Sequence, residues 1–258
     1  MSLSDAPPYE HWHRHSGITL YGRKPALEAL SDASLSIHCL HLADSNRDSS
    51  IITQLIALAT DRQIAIRYHD RMALSRISKN ARQDQGVAVD VLCPHFASLS
   101  TLLDQLSRRR HTLLALDGIT NPQNVGMIIR SAAAAGIDGI LYPQKGVASL
   151  GPLVIKASAG TVFRAPLILC EALTPALQAL SDADSAIVTL DARSNTSLYD
   201  LETTKTTVFV LGGETDGVSA AAKALAQHTV SIPMANGVES LNVAVAAALV
   251  AFHLGRVG

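Results

Sequence analysis

Residues 232–242 read Ile-Pro-Met-Ala-Asn-Gly-Val-Glu-Ser-Leu-Asn and run directly into an alanine-rich apolar stretch, Val243 to Leu254. Before them, Thr229 to Ile232 is a short apolar run that Pro233 ends, the pattern of a buried strand. Asn236 and Gly237 mark a loop. Ser240 is a favourable N-cap residue, so the spacing predicts a helix that opens at Leu241 with Asn242 one step inside it. Strand, loop and helix in this order put Ser240 and Asn242 at a helix N-terminus. Free backbone N–H groups and the positive dipole end face outward there.

Two earlier stretches have the same form. One is LLALDGITNPQNVGMIIRSAAAAG, Leu113 to Gly136. The other runs from Thr207 to Gln227, with LGGETDGVS at its turn. Three such turns on one sheet converge on one edge, where open α/β sheets bind ligands. Working outward, strands are predicted at Leu113–Leu116, Gly139–Tyr142, Pro166–Leu169, Ala186–Leu190, Val208–Leu211 and Val230–Ile232. Helices are predicted between them, at about Val125–Ala135, Leu153–Ala159, Pro175–Leu180, Val218–Ala226 and Leu241–Leu254. Continuous apolar strands separated by helices imply a buried parallel sheet.

The first third alternates differently. Residues 1–16 are polar and carry His11, His13 and His15, which reads as a flexible tail. Residues 17–93 form a small α/β domain, with helices at Pro25–Leu30, Ile51–Ala59 and Met72–Ile77. Its strands are placed at Ser36–Leu42, Ile64–Tyr68 and Val87–Leu92. Residues 94–111 are a linker, and 112–258 are the second domain.

Bulk properties narrow the function classes. Hydrophobic residues make up 48 %, which supports a real core and argues against global disorder. No apolar run is long enough to cross a bilayer, no signal-peptide core is evident, and a cytoplasmic location is expected. Cys39, Cys93 and Cys170 are scattered without ligand spacing, so free thiols and no metal site are expected. The net charge of −1 is not that of a strongly basic nucleic-acid binder. Charge is uneven, however. Arg62, Arg67, Arg71, Arg76, Lys79 and Arg82 face only Asp61 and Asp70 in one stretch, and Arg108 to Arg110 form a second cluster. Each reads as a solvated face or as a phosphate-contacting surface.

Arg130 is the one charge in an apolar, small-residue helix. It shares a face with Gly126, where the missing side chain leaves room for a ligand. An ion pair to Glu214 is the alternative. Gly212, Gly213 and Gly217 suit either close approach to a ligand or a plain strand-to-helix turn. GGETDG lacks the dinucleotide G-x-G-x-x-G spacing and falls in the fifth strand–helix turn, not the first. Asn121 and Ser240 are explicable as helix caps, whereas Asn242 is less so.

Taken together, Asn121-Pro122-Gln123-Asn124-Val125-Gly126 with Arg130, Gly212 to Gly217, and Ile232-Pro233-Met234 with Ser240-Leu241-Asn242 resemble the three signatures of the SpoU/TrmH family of RNA 2′-O-ribose methyltransferases. The likeness covers roughly residues 110–258 strongly and the first third more weakly. It implies an α/β fold with a trefoil knot in the parallel-sheet domain, S-adenosylmethionine as cofactor, ribosomal or transfer RNA as substrate with ribosomal RNA favoured, and a homodimer. It makes Arg130, Asn124, Glu214, Ser240 and Asn242 the catalytic set, with Gly212, Gly213, Ile232, Met234 and Leu241 holding the cofactor. The alanines 244, 247, 248 and 251 permit close helix packing in such a dimer. The first domain resembles the ribosomal-protein-like RNA-binding domain that often precedes the SpoU domain, on Gly22, Glu28-Ala29-Leu30 and Gln85-Gly86-Val87-Ala88. Asp84 stands where relatives often carry His. RNA contacts are expected from Arg23, Arg67, Arg71, Arg76, Lys79 and Arg82. A non-catalytic RNA-binding or ribosome-assembly factor of the same fold is the rival reading.

Overall fold

The computed structural model describes residues 17–46 and 49–255. The expected tail at 1–16, with its histidines, lies outside them. The chain divides into two compact units, at Pro94 and His95.

The first unit is a four-stranded sheet in the order β1-β4-β2-β3. Strands β1 (Gly17–Tyr21), β2 (Ile37–Ala43) and β3 (Ala65–His69) run the same way, and β4 (Val87–Leu92) runs against them between β1 and β2. Each of the first three leads into a helix: α1 (Arg23–Ser31), α2 (Ser50–Asp61) and α3 (Arg71–Ser78). Sequence reading missed β1 because five residues with only Ile18 and Leu20 buried give a weak signal. Asp84 is buried. Its carboxylate accepts from Ser78 Oγ at 2.8 Å and from the Gly86 N–H at 3.0 Å, so it braces the turn into β4.

The second unit is a seven-stranded, wholly parallel sheet ordered β11-β9-β10-β6-β7-β8-β5. Its strands are β5 (Ala97–Ser98), β6 (Thr112–Asp117), β7 (Gly139–Pro143), β8 (Leu167–Cys170), β9 (Ala186–Leu190), β10 (Thr207–Gly212) and β11 (His228–Val230). The helices are α4 (Leu99–Leu103), α5 (Pro122–Ala134), α6 (Pro152–Ala157), α7 (Leu173–Asp182), α8 (Ala220–Leu225) and α9 (Val243–Leu254). Side chains alternate across the sheet. Leu113, Ala115, Val208 and Val210 pack with Leu173, Leu177 and Leu180 of α7 and Ala222 of α8 on one face. The opposite face holds Leu114, Leu116 and Phe209, all buried, and α5 and α9 pack on that side. The strand order reverses between β6 and β10, so the switch point lies at the carboxyl ends of these two strands.

Two differences from expectation bear on the site. Strand β11 stops at Val230 rather than Ile232, because Ser231 leaves the sheet to bridge Ser197, its N–H bonded to Thr196 O at 2.8 Å. Helix α9 opens after Asn242, not Ser240. The Asn242 side chain accepts from the Ala244 and Val245 N–H groups, while Ser240 is exposed. The alanine face is also not the outer one: Ala244, Ala247 and Ala251 are buried within the chain, and Val245, Leu249 and Phe252 are exposed.

Candidate functional site

The three loops singled out by sequence meet at the carboxyl ends of β6, β10 and β11. The first two are latched by backbone. Gly213 lies so close to Gly118 that a Cβ would sit 2.6 Å from its carbonyl oxygen. A Cβ on Gly212 would lie 2.2 Å from the Val218 nitrogen and closer still to Gly217. Gly217 closes the loop by donating to Gly213 O at 2.9 Å. At Gly212 and Gly213 the missing side chains admit neighbouring backbone of the loops themselves, whereas a Cβ on Gly217 would meet nothing within 4 Å.

Asp117, at the end of β6, accepts from the Ser219 N–H at 2.7 Å, and Ser219 in turn caps α8. Sequence reading passed over Asp117. A carboxylate ending the apolar run LLALD was the available signal.

The third loop is tied in by side chains. Asn242 Nδ2 donates to Glu214 Oε1 at 2.7 Å and to Asn124 Oδ1 at 3.1 Å. Its own Oδ1 accepts from the Ala244 N–H at 2.9 Å. One amide thus caps α9 and joins the starts of α5 and α9 to the β10 loop. Asn124 is buried, so its carbonyl oxygen needs this donor. Asn121 caps α5 through the Gln123 N–H, as expected.

Arg130 lies apart from this chain of polar groups. It is six residues beyond Asn124, about 9 Å along the helix axis. It is exposed, and among the described residues it has no hydrogen bond or ion pair. Glu214 serves Asn242, and the structure has no Arg130–Glu214 pair. Gly126 does not open a path beside Arg130 either. It is buried, and a Cβ there would stand 2.5 Å from Ala157 Cβ and 2.7 Å from Val154 O. The glycine serves the packing of α5 on α6. Around the third loop, Ile232 and Met234 are half-buried and Leu241 is exposed, leaving apolar surface open at the sheet edge.

The basic stretch of the first unit is not uniform. Arg67, Arg71, Arg76, Lys79 and Arg82 are exposed, and Arg23 is half-buried at the start of α1. Arg62 has a different role. Its guanidinium donates to Leu30 O at 2.7 Å, Leu35 O at 2.5 Å and Asp32 O at 3.2 Å, closing the carboxyl end of α1. Its reading as a phosphate contact is withdrawn on that geometry. Arg109 pairs with Asp138, which also accepts from the Thr112 N–H. Tyr68 and Met72, 59 % and 69 % exposed, lie among these cations in sequence, and sequence reading overlooked both.

All three thiols are free and buried, and burial pushes Cys39 and Cys93 up to about 12 and Cys170 up to about 11. Among the described residues no His, Cys, Asp and Glu cluster is suited to a metal ion, and no helix is long and apolar enough to cross a membrane.

Comparison with known proteins places this geometry. Residues 111–252 match the SpoU rRNA Methylase family, and residues 19–92 match the domain described as RNA 2′-O ribose methyltransferase substrate binding. A protein of Mycobacterium avium (strain 104), named as an uncharacterized tRNA/rRNA methyltransferase, is 36 % identical over 239 residues, 92 % of this chain and 77 % of that one. A Mycobacterium leprae (strain TN) protein of the same description is also 36 % identical over the same span. Among solved structures, the SpoU methyltransferase AviRb from Streptomyces viridochromogenes, in complex with AdoMet, aligns with a TM-score of 0.60 at 22 % identity, over 95 % of this chain and 92 % of that one. An AdoMet-bound rRNA methyltransferase from Sinorhizobium meliloti aligns with a TM-score of 0.59 at 22 % identity, over 95 % of this chain and 89 % of that one.

Proposed function

The chain belongs to the SpoU rRNA methylase family, and on that premise we propose that it is an RNA methyltransferase that uses S-adenosylmethionine to methylate ribose 2′-hydroxyls. The observation that carries this reading is the Asn124–Asn242–Glu214 chain, which binds the family's three motif loops into one rigid edge. Relatives named for tRNA and rRNA, and the substrate-binding description of the first unit, support RNA as substrate. A separate RNA-binding unit favours ribosomal RNA. A cytoplasmic location goes with such a substrate.

The residues at this edge fit the cofactor by their chemistry. Ile232, Met234 and Leu241 offer apolar side chains to a flat base, and the backbone at Gly212, Ile232 and Leu241 would hold the adenine and ribose. When bound, the cofactor supplies a methyl group on a cationic sulfur. Positive charge disperses during transfer, so the chain's task is orientation and proton removal rather than oxyanion stabilisation. Arg130 has its donors free to grip the phosphate and 2′-oxygen of the target nucleotide. A guanidinium does not give up its proton at neutral pH, so the hydroxyl proton passes to a phosphate oxygen of the RNA. Asn124, Glu214 and Asn242 keep the pocket wall fixed, and Ser240, exposed beside them, faces the nucleotide. A trefoil knot is the topology this family reading brings, and the long segment 231–242, returning from the edge strand β11 to the start of α5, is the part of the chain that would close it.

The reading also assigns a homodimer. Helix α9 is apolar but for His253, and Val245, Leu249 and Phe252 remain exposed beside Tyr199 and His253 along a groove of about 440 Å3. A second copy of this chain covers that stripe. Calorimetry of the full chain should give heat of binding with S-adenosylmethionine and none with NAD, and light scattering should give a dimer that Phe252→Glu splits. Absent heat with the first ligand sinks the enzyme reading. Mapping 2′-O-methyl sites in cellular RNA with and without the gene then names the nucleotide.

A further inference from the structure

The first unit gathers the starts of α1, α2 and α3 around one cavity. The cavity, about 580 Å3, is lined by Arg23, Ser45, Asn46, Ser49, Arg71 and Gln85. Arg23 is the first residue of α1, Ser49 precedes α2, and Arg71 is the first residue of α3. Strands β1, β2 and β3 are parallel, so their helices begin at one edge of the sheet. The positive ends of three helix dipoles therefore point toward the same space.

Several details mark this as a seat for an anion. Among the described residues, the lining holds two guanidinium groups and no carboxylate. Helices α1 and α2 have no side-chain cap, whereas α3 is capped by Asp70. Ser49 stands at the N-cap position of α2, yet its hydroxyl is buried and has no partner among the described residues. Arg23 Nε is likewise buried without a partner. Buried donors left unsatisfied are costly and call for an acceptor.

The surrounding loop is built to hold Arg23 in place. Gln85 adopts φ +51 and Gly86 φ +74, and this turn brings Gln85 Oε1 to accept from the Arg23 N–H at 3.1 Å. Asn46 donates to Gly86 O at 2.7 Å and accepts from Arg23 Nη2 at 3.4 Å. A Cβ on Gly86 would strike Asn46 Oδ1 at 2.6 Å, so this arrangement requires glycine there twice over. Asn46 and Gln85 are spent on positioning, and the two guanidinium groups and the Ser49 hydroxyl are left to bind.

We propose that this cavity binds a backbone phosphodiester of the RNA together with its attached nucleotide. Arg23 Nε–H, the Ser49 hydroxyl and the Arg71 guanidinium supply the donors to the non-bridging oxygens. The volume exceeds what an inorganic anion fills and suits a nucleotide unit. The proposal rests on the RNA-substrate reading and sharpens it: two of the basic residues act as a formed site, and the remaining cations act as a diffuse field.

The test is fluorescence anisotropy with a labelled 20-mer of oligouridine and the full chain, from low to moderate salt. Arg23→Gln/Arg71→Gln should lower the slope of log affinity against log salt by about 1.4, two contacts at about 0.7 each for a single strand. Ser49→Ala should weaken binding without changing the slope. Arg76→Gln/Lys79→Gln removes the same charge outside the cavity and should change the slope less. Equal loss from both double variants, or no loss from the first, overturns the seat while leaving RNA binding intact. No binding by the wild-type chain overturns the RNA reading and the seat with it. Should the double variant unfold, the Arg23 Nε–H resonance of the wild-type protein decides. It should shift on titration with the dinucleotide UpU and stay still with uridine. A resonance that responds to neither rules the site out.

Discussion

The two units treat the carboxyl edge of their parallel strands in opposite ways. In the first, three helix starts open onto a cavity, two caps are missing, and buried donors wait for a partner. In the second, the loops are bound to each other: Gly212 and Gly213 to backbone, Asp117 to Ser219, Asn242 to Asn124 and Glu214. One edge is poised for a flexible polyanion, which brings its own acceptors. The other is fixed in advance, as a transfer reaction needs when orientation is its main source of rate. Arg130 is the exception inside the second unit, an exposed cation with free donors on the helix that holds Asn124 but apart from the network.

That exception gives the largest expected effect. Arg130→Ala should slow single-turnover methylation by at least about 100-fold, with melting temperature and cofactor affinity unchanged. Arg130→Lys should be badly impaired as well, since it keeps the charge and loses the planar fork. Near-wild-type turnover in the alanine variant would remove Arg130 from the reaction and leave the second unit as a closed edge alone.

Next is the latch. Asn242→Ala removes the α9 cap and strips Asn124 of its donor, for about 2 kcal/mol of stability by chemical denaturation. Asn242→Asp separates the two roles. Its carboxylate still caps α9, but it stands beside Glu214 and has no donor for Asn124. The aspartate variant should therefore hold its helix and lose cofactor affinity. Unchanged affinity would mean that the latch supports the fold and not the site.

The smallest effect divides the first unit from within. Arg62→Ala should cost about 1–2 kcal/mol through the freed carbonyls of α1, with the salt dependence of RNA binding unaltered. A changed slope would return Arg62 to the RNA-facing set.

These contrasts mark what the sequence discloses. Strand and helix order from Thr112 onward was legible because apolar runs and glycine-rich turns are local signals, whereas the two-residue edge strand β5 fell within the stretch read as a linker. Arg62 and Arg71 were not separable, because the difference lies in where α1 ends, some thirty residues earlier in the chain. Ser240 and Asn242 are both good caps. The amide was selected because a hydroxyl cannot donate to Asn124 and Glu214 while accepting from the helix. Gly126 read as open space because its neighbour Ala157 belongs to another helix. The buried Asp84, by contrast, explains itself once the turn at Gly86 is seen.

The bond from Asn242 to Asn124 joins residues 118 positions apart. Strand β6 pairs with β7 soon after it is made, but its other edge stays bare until residues 207–212 leave the ribosome. Contacts this distant are slow to form, and the latched edge is not complete before α9 begins. During synthesis the polar chain of Asn124, Glu214 and Asn242 closes last. It works as a completion check on the second unit, whose latched edge is not assembled until Asn242 has been made, whereas the first unit is complete long before.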